Sequence, residues 1–198
     1  MPPAAAPLIC LASASPRRRE LLEQIGVPYT VSAADIDESV QEGEAAVDYV
    51  LRIARAKAAA VRLRGTPLPV LAADTTVVVD ALICAKPHDR ADGIAMLQRL
   101  SGRTHQVLTA VALATGAGIA FRMSASEVRL RSITAAECAA YWQSGEPHDK
   151  AGGYAIQGRG ALFIEHLSGS YSGVMGLPLF ETGQLLAAAG VPCLAGAR

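Results

Sequence analysis

Apolar positions in this chain fall in short continuous runs and in stretches of helical period, one following the other from end to end. The run Pro7 to Ala12 reads as a short buried strand. Ser15-Pro16 behind it has the make-up of a helix N-cap and first helical position, and the helix it opens runs to Ile25, where Gly26 stops it. A longer helical period from about Glu44 to Leu63 is closed by Gly65; Leu68 to Ala73 then forms a buried strand, and Thr75 to Cys84 a hairpin. Asp89 to Leu100 is helical and ends at Gly102, His105 to Ala114 and Ile119 to Arg131 are strands, and Thr134-Ala-Ala-Glu137 is a capping box for a short helix to Gln143. From Gly145 onward the sequence is rich in glycine and turns, with one apolar strand at Ala161 to Leu167 and a last helix from about Leu177 to Ala189. The alternation predicts an α/β class, and the hairpins in the middle predict a mixed rather than purely parallel sheet. No internal repeat and no low-complexity linker divides the chain.

The same periodicity sorts the charged residues. Arg17, Arg18 and Arg19 stand in the first turn of the first helix, where exposed N–H groups already carry partial positive charge and cations are disfavoured by roughly 0.3–1 kcal/mol each. Arg18 shares a stripe with Leu21, Leu22 and Ile25, whereas Arg19 is spaced to pair with Glu23 on the solvent side. Guanidinium groups beside free backbone donors suit a phosphate; the alternative is a solvated basic turn. In the second helix Val47, Val50, Ile53, Ala54 and Val61 form one face with Lys57 inside it, and Arg52, Arg55 and Arg62 fall opposite. A lysine so placed either meets an anion or snorkels to solvent.

Asp74 ends the apolar strand LPVLAA and precedes Thr75 and Thr76, which is where α/β proteins place reactive groups, at carboxyl ends of strands. Its carboxylate suits a general base or a metal ligand, or else caps a turn. Asp35, Asp37 and Glu38 form a short acidic loop that could share a hard metal and that alone reads as solvated. Ser144 to Gly160 places Gly152, Gly153, Gly158 and Gly160 among Asp149, Lys150 and Gln157, which points to close backbone approach or to a plain flexible loop. It is neither a Walker A loop nor a GxGxxG fingerprint.

Composition narrows the field. At 198 residues and 51% hydrophobic, the chain supports one domain or two lobes sharing a cleft, and is not largely disordered. Lys+Arg and Asp+Glu are 18 each, so no net field would hold it on nucleic acid or on an anionic membrane, and an anion must be met locally. Cys10, Cys84, Cys138 and Cys193 are scattered singly and the four histidines lack metal-binding spacing, which suits reduced thiols in the cytosol. The apolar start of the chain precedes its basic cluster, the reverse of a signal peptide, and reads as a short disordered lead-in. The richest apolar run is broken by Asp74 and Asp80, so no membrane span is expected.

Taken together SASPRR with ELL behind it, ARAKA, AADTTVVVD, CAKP, LSGRTHQVLTAVAL, GEPHDKAGGYAIQG and GSYSGVMGLPL resemble the Maf family of nucleoside triphosphate pyrophosphatases, also known as septum-formation inhibitor proteins, in order and over nearly the whole chain. The resemblance implies a single domain over residues 1–198 with a fold like that of inosine triphosphate pyrophosphatase: an elongated mixed sheet and two α/β lobes around a cleft. It implies hydrolysis of a nucleoside triphosphate to the monophosphate and pyrophosphate with a divalent metal, Mg²⁺ or Mn²⁺, and a homodimer. Carried over by position, Ser13, Arg17, Arg18, Lys57 and Lys86 face the triphosphate, Asp74 is the catalytic carboxylate, and Glu38 joins Asp74 as metal ligand. Arg17, Thr75 and Gln157 match positions of base selection, and DKAGGYAIQG looks like the branch acting on dTTP and UTP rather than on 7-methyl-GTP. Gly173 departs from the pattern, standing where many members have Asn. A non-catalytic regulator of cell division and a phosphatase releasing orthophosphate are the rival readings.

Overall fold

The computed structural model describes residues 6–193. Their elements are strand β1 (Ile9–Leu11), helix α1 (Pro16–Gln24), β2 (Tyr29–Val31), α2 (Ala46–Arg62), β3 (Val70–Val79), β4 (Leu82–Cys84), α3 (Arg90–Leu100), β5 (Thr104–Thr115), β6 (Gly118–Leu130), α4 (Ala135–Gln143), β7 (Ile164–Ser168), α5 (Tyr171–Met175) and α6 (Leu179–Ala188). Among the described residues one sheet of seven strands has the order β2-β1-β3-β5-β6-β7, with β4 paired to β3. It is mixed, as the middle hairpins require: β1 runs parallel to β2 and β3, whereas β3 with β4 and β6 with β7 are antiparallel. The lead-in expected before the first strand falls largely on residues outside those described.

The described residues divide into two compact units, 6–74, 109–123 and 176–193 forming the first and 75–108 and 124–175 the second. In the first unit, β1 is buried throughout and its parallel neighbours are reached through α1 and α2, the crossovers that parallel pairing demands. Leu21 and Leu22 of α1 and Val50, Ile53, Ala54, Ala58 and Val61 of α2 are almost wholly removed from water. In the second unit Val77, Val79, Leu97, Leu100, Val128, Leu130, Tyr141 and Phe163 belong to one continuous core. Its short helix α4 carries the expected capping box, with Glu137 N–H donating to Thr134 Oγ1 at 3.2 Å and Thr134 N–H to Glu137 Oε2 at 2.8 Å.

Four expectations change. Leu68 to Ala73 and the first arm of the hairpin are one strand, β3, so Asp74 lies inside a ten-residue strand rather than at its end. The β-branched run Thr75 to Val79 simply continues the extended backbone. The hairpin turn falls at Asp80 and Ala81, both left-handed at φ 50 and 60, the signature of a two-residue type I′ loop. Val47 lies outside the buried face of α2, and Tyr49 takes its place there. The strand placed at Ala161 is β7, starting at Ile164 after a 3₁₀ turn over Arg159–Phe163, and the last helix starts at Leu179 behind Pro178, preceded by the unforeseen short helix α5.

Candidate active site

Helix α1 begins where β1 ends. Ser15 occupies the N-cap position without capping through its side chain; instead its own N–H donates to Ser13 Oγ at 3.2 Å. Ser13 is buried and its hydroxyl also accepts from Arg18 NH1 at 3.1 Å, while Arg18 Nε donates to the Gly176 carbonyl at 2.7 Å. The Arg18 guanidinium is thus aimed inward, as its stripe predicts. Burial pushes its pKa down, Asp74 pulls it up, Arg17 adds repulsion and Glu38 attraction. Arginine keeps its charge through such shifts. Glu23 is occupied by the Tyr29 hydroxyl at 2.6 Å rather than by the expected Arg19.

Lys57 is 8% exposed on the buried face of α2, and its ammonium donates to two carboxylates, Asp74 Oδ1 at 2.9 Å and Glu38 Oε2 at 2.7 Å. The snorkelling alternative is thereby excluded: this lysine is paired. Asp74 is 6% exposed, and its second oxygen, Oδ2, is buried without a hydrogen-bond partner. Burial raises the Asp74 pKa above the ordinary carboxylate value, more than the nearby Lys57 and Arg18 charges lower it. A buried acceptor without a donor costs about 1–3 kcal/mol, and more for a charged group. An incoming donor or cation would satisfy it.

Glu38 is the exception to the solvated reading of its loop, because Lys57 reaches it and α2 holds its backbone in place. Tyr49 donates its hydroxyl to the Glu38 carbonyl at 3.0 Å, and Arg52 donates to the Ser39 carbonyl at 2.9 Å and forks onto Glu44 at 2.6 and 2.7 Å. The Arg52 hydrogen bonds bring Glu44 down to about 2, and burial together with the Asp74 and Glu38 charges pushes Tyr49 up to about 12. Sequence reasoning missed Tyr49 and Arg52, although Tyr49, Ile53 and Lys57 recur at intervals of four and so share one face.

Three cations, Arg17, Arg18 and Lys57, therefore stand with two carboxylates, Glu38 and Asp74, in the first unit. Thr75, Lys86 and Gln157 belong to the second: Thr75 follows Asp74 on β3 and is half-buried, Lys86 is exposed beyond β4, and Gln157 is exposed between the 3₁₀ turns Ala151–Gly153 and Arg159–Phe163. Gly173 is buried, and a Cβ there would meet Ser170 at 3.1 Å and Ser124 Oγ at 3.2 Å.

The donor set can be tested against a hard divalent cation. Asp74 Oδ2 has no other partner, and Glu38 Oε2 and Asp74 Oδ1 converge on a single ammonium, so the two carboxylates are neighbours. No group of three or more His, Cys, Asp or Glu that could hold an ion by itself occurs among the described residues. A carboxylate or two, with the remaining ligands from phosphate and water, is the habit of Mg²⁺. The residues fit such an ion.

A mixed-sheet α/β protein that gathers cations and carboxylates at the start of a helix belongs among those that handle phosphorylated anions. The particular family follows from comparison: the chain belongs to the Maf family, whose profile, described as Maf-like protein, matches residues 8–189. A protein of Alkalilimnicola ehrlichii called dTTP/UTP pyrophosphatase is 54% identical over 192 residues, covering 94% of this chain and 95% of its own. One of Saccharophagus degradans with the same name is 53% identical over 186 residues, covering 92% and 89%. Among solved structures, a Ham1 protein from Staphylococcus aureus aligns with a TM-score of 0.44 at 16% identity, over 62% of this chain and 71% of that one.

Proposed function

We propose that this protein is a nucleoside triphosphate pyrophosphatase that hydrolyses dTTP and UTP to the monophosphate and pyrophosphate. The observation that carries the chemistry is Asp74, buried, with Oδ1 held by Lys57 and Oδ2 unpartnered. The relatives of 53–54% identity named dTTP/UTP pyrophosphatase support the choice of substrate.

In this reading Arg17, Arg18 and Lys57, with Ser13 and Lys86, neutralise and orient the triphosphate. Lys57 fixes the direction of the Asp74 carboxylate, which deprotonates or orients the water that attacks the α-phosphorus, leaving pyrophosphate to depart. Burial, which raises the basicity of Asp74, makes it a better proton acceptor than a solvated carboxylate. Glu38 and Asp74 would hold a divalent cation, Mg²⁺ or Mn²⁺, which when bound supplies Lewis-acid neutralisation of phosphate charge. Arg17, Thr75 and Gln157 select the base. Thymine and uracil present two acceptor oxygens flanking one N–H, a pattern that a glutamine amide can meet with both its donor and its acceptor.

The homodimer and a cytosolic location belong to the same reading. No helix among the described residues is long and apolar enough to cross a membrane. The deciding assay incubates the purified protein with each common nucleoside triphosphate and Mg²⁺ and identifies the products. Pyrophosphate with dTMP or UMP is expected, from dTTP and UTP at least about tenfold better in kcat/KM than from GTP, ATP or 7-methyl-GTP. Orthophosphate as the product, or no turnover, would overturn the proposal.

A further inference from the structure

The segment that carries Gln157 is fastened at both ends to one hydrogen-bonded pair in the second unit. Tyr141, on α4, donates its hydroxyl to Glu146 Oε1 at 2.7 Å, and the Tyr141 hydroxyl oxygen accepts in turn from Ala155 N–H at 3.1 Å. Glu146 accepts from Arg159 N–H through Oε2 at 2.8 Å and from Gly160 N–H through Oε1 at 3.0 Å. The carboxylate thus meets three donors, and the phenol links it to the near end of the loop. Tyr141 is itself held by the core, edge-on to Phe163 at 5.2 Å between ring centres.

The ends of the loop also touch. A Cβ at Gly160 would lie 2.5 Å from the Ala155 carbonyl and 2.7 Å from the Tyr141 hydroxyl, and one at Gly158 would lie 2.3 Å from Glu146 Oε2. Both glycines are there because backbone must pack where a side chain would otherwise stand. Ile156 is buried, so on either side of the exposed Gln157 the backbone is pinned within two residues. A plain flexible loop would leave the backbone at Gln157 free to move; here it is tied on both sides.

We propose that Tyr141 and Glu146 are positioning residues for base selection: they set the direction in which Gln157 presents its amide. The proposal rests on the reading of Gln157 as a base-selecting residue. Charge-assisted hydrogen bonds to backbone N–H groups hold direction more firmly than neutral ones, and discrimination between bases needs that firmness because a misdirected amide satisfies a wrong edge almost as well.

Glu146→Gln, Tyr141→Phe, Gln157→Ala and the Glu146→Gln/Gln157→Ala double variant test it by competition between dTTP and GTP. Gln157→Ala should abolish most of the preference. Glu146→Gln and Tyr141→Phe should each lower the dTTP-to-GTP ratio of kcat/KM by about tenfold, the scale of one lost hydrogen bond, and leave GTP hydrolysis within about threefold of wild type. In the Gln157→Ala background Glu146→Gln should add nothing to the ratio. Amide exchange gives a readout independent of activity: protection should fall at Ala155 in Tyr141→Phe and at Arg159 and Gly160 in Glu146→Gln, with β5 unchanged. If Gln157→Ala keeps the wild-type ratio, the reading of Gln157 fails and this inference with it. If Gln157→Ala loses the preference while Glu146→Gln and Tyr141→Phe retain it, or slow all triphosphates equally, the inference fails alone.

Discussion

Asp74 and Lys57 are bound so closely that each variant tests the other. Asp74→Asn keeps the shape, removes a carboxylate that burial makes basic, and lowers repulsion toward a triphosphate. Turnover should fall by about 10²–10⁴-fold while nucleotide still binds, as read by single-turnover kinetics beside a binding isotherm. Activity within about threefold of wild type would take Asp74 out of the mechanism. Lys57→Met removes the ammonium that Asp74 and Glu38 share, leaving the buried Asp74 carboxylate without its cation beside the exposed Glu38. Breaking a buried pair in this way costs about 3–5 kcal/mol, so this variant should lose thermal stability as well as activity. Arg18→Ala should raise KM for the triphosphate and make binding less sensitive to salt, because one charge-assisted contact has gone.

Among the elements, the β3–β4 hairpin holds a conformational misfit that has nothing to do with the site. Ala81 sits at φ 60, exposed, in a turn position where glycine is at no steric disadvantage and a Cβ costs roughly 1–2 kcal/mol. Ala81→Gly should therefore raise the midpoint of thermal unfolding, with a net gain of about 0.5–1 kcal/mol once the extra freedom of the unfolded chain is counted. A lower midpoint would mean that the left-handed turn is held by something other than its backbone. Helix α2 shows the opposite economy. One face packs Val50, Ile53, Ala54 and Val61, the same face delivers Lys57 to its carboxylates, and its first turns anchor the loop of Glu38 through Tyr49 and Arg52.

For the molecule as a whole, folding stability should depend on pH in a window set by a histidine rather than by the carboxylates. His105 is 2% exposed, its Nε2 lies 2.7 Å from the Tyr154 hydroxyl, its Nδ1 is buried without a partner, and burial lowers its pKa from 6.5 to about 4. The native state thus holds His105 neutral while the unfolded chain takes up a proton. Stability should be complete above pH 6.5 and fall by roughly 3 kcal/mol as pH drops to about 4. Glu44 and Glu137, lowered to about 2 by Arg52 and Arg131, contribute only further down, below pH 4.5. Asp74, raised by burial, works in the opposite sense, its contribution declining as pH rises. Urea titrations of wild type and His105→Gln across this range would separate the histidine: the variant should show a flatter curve between pH 6.5 and 4, and an unchanged slope would contradict the assignment.

Much of this was legible along the chain because it depends on neighbours in sequence. Apolar period placed α2 and put Lys57 on its buried face, the Ser-Pro pair opened α1 with Arg18 turned inward, and the Thr134 capping box closed on itself as its spacing requires. Family motifs, which record residue types in order, single out Asp74 and Gln157 as candidates in the same way. Other facts depend on residues far apart and carry no local signature. That Glu38 leaves its loop to meet Lys57, that Asp74 lies within a continuous strand with one oxygen left unpartnered, and that Tyr141 and Glu146 tie down both ends of the Gln157 loop follow from where the folded backbone brings donors and acceptors together. Side-chain period reports which face is buried; it is silent on which groups meet across that face, because hydrogen bonds are satisfied in space rather than in sequence.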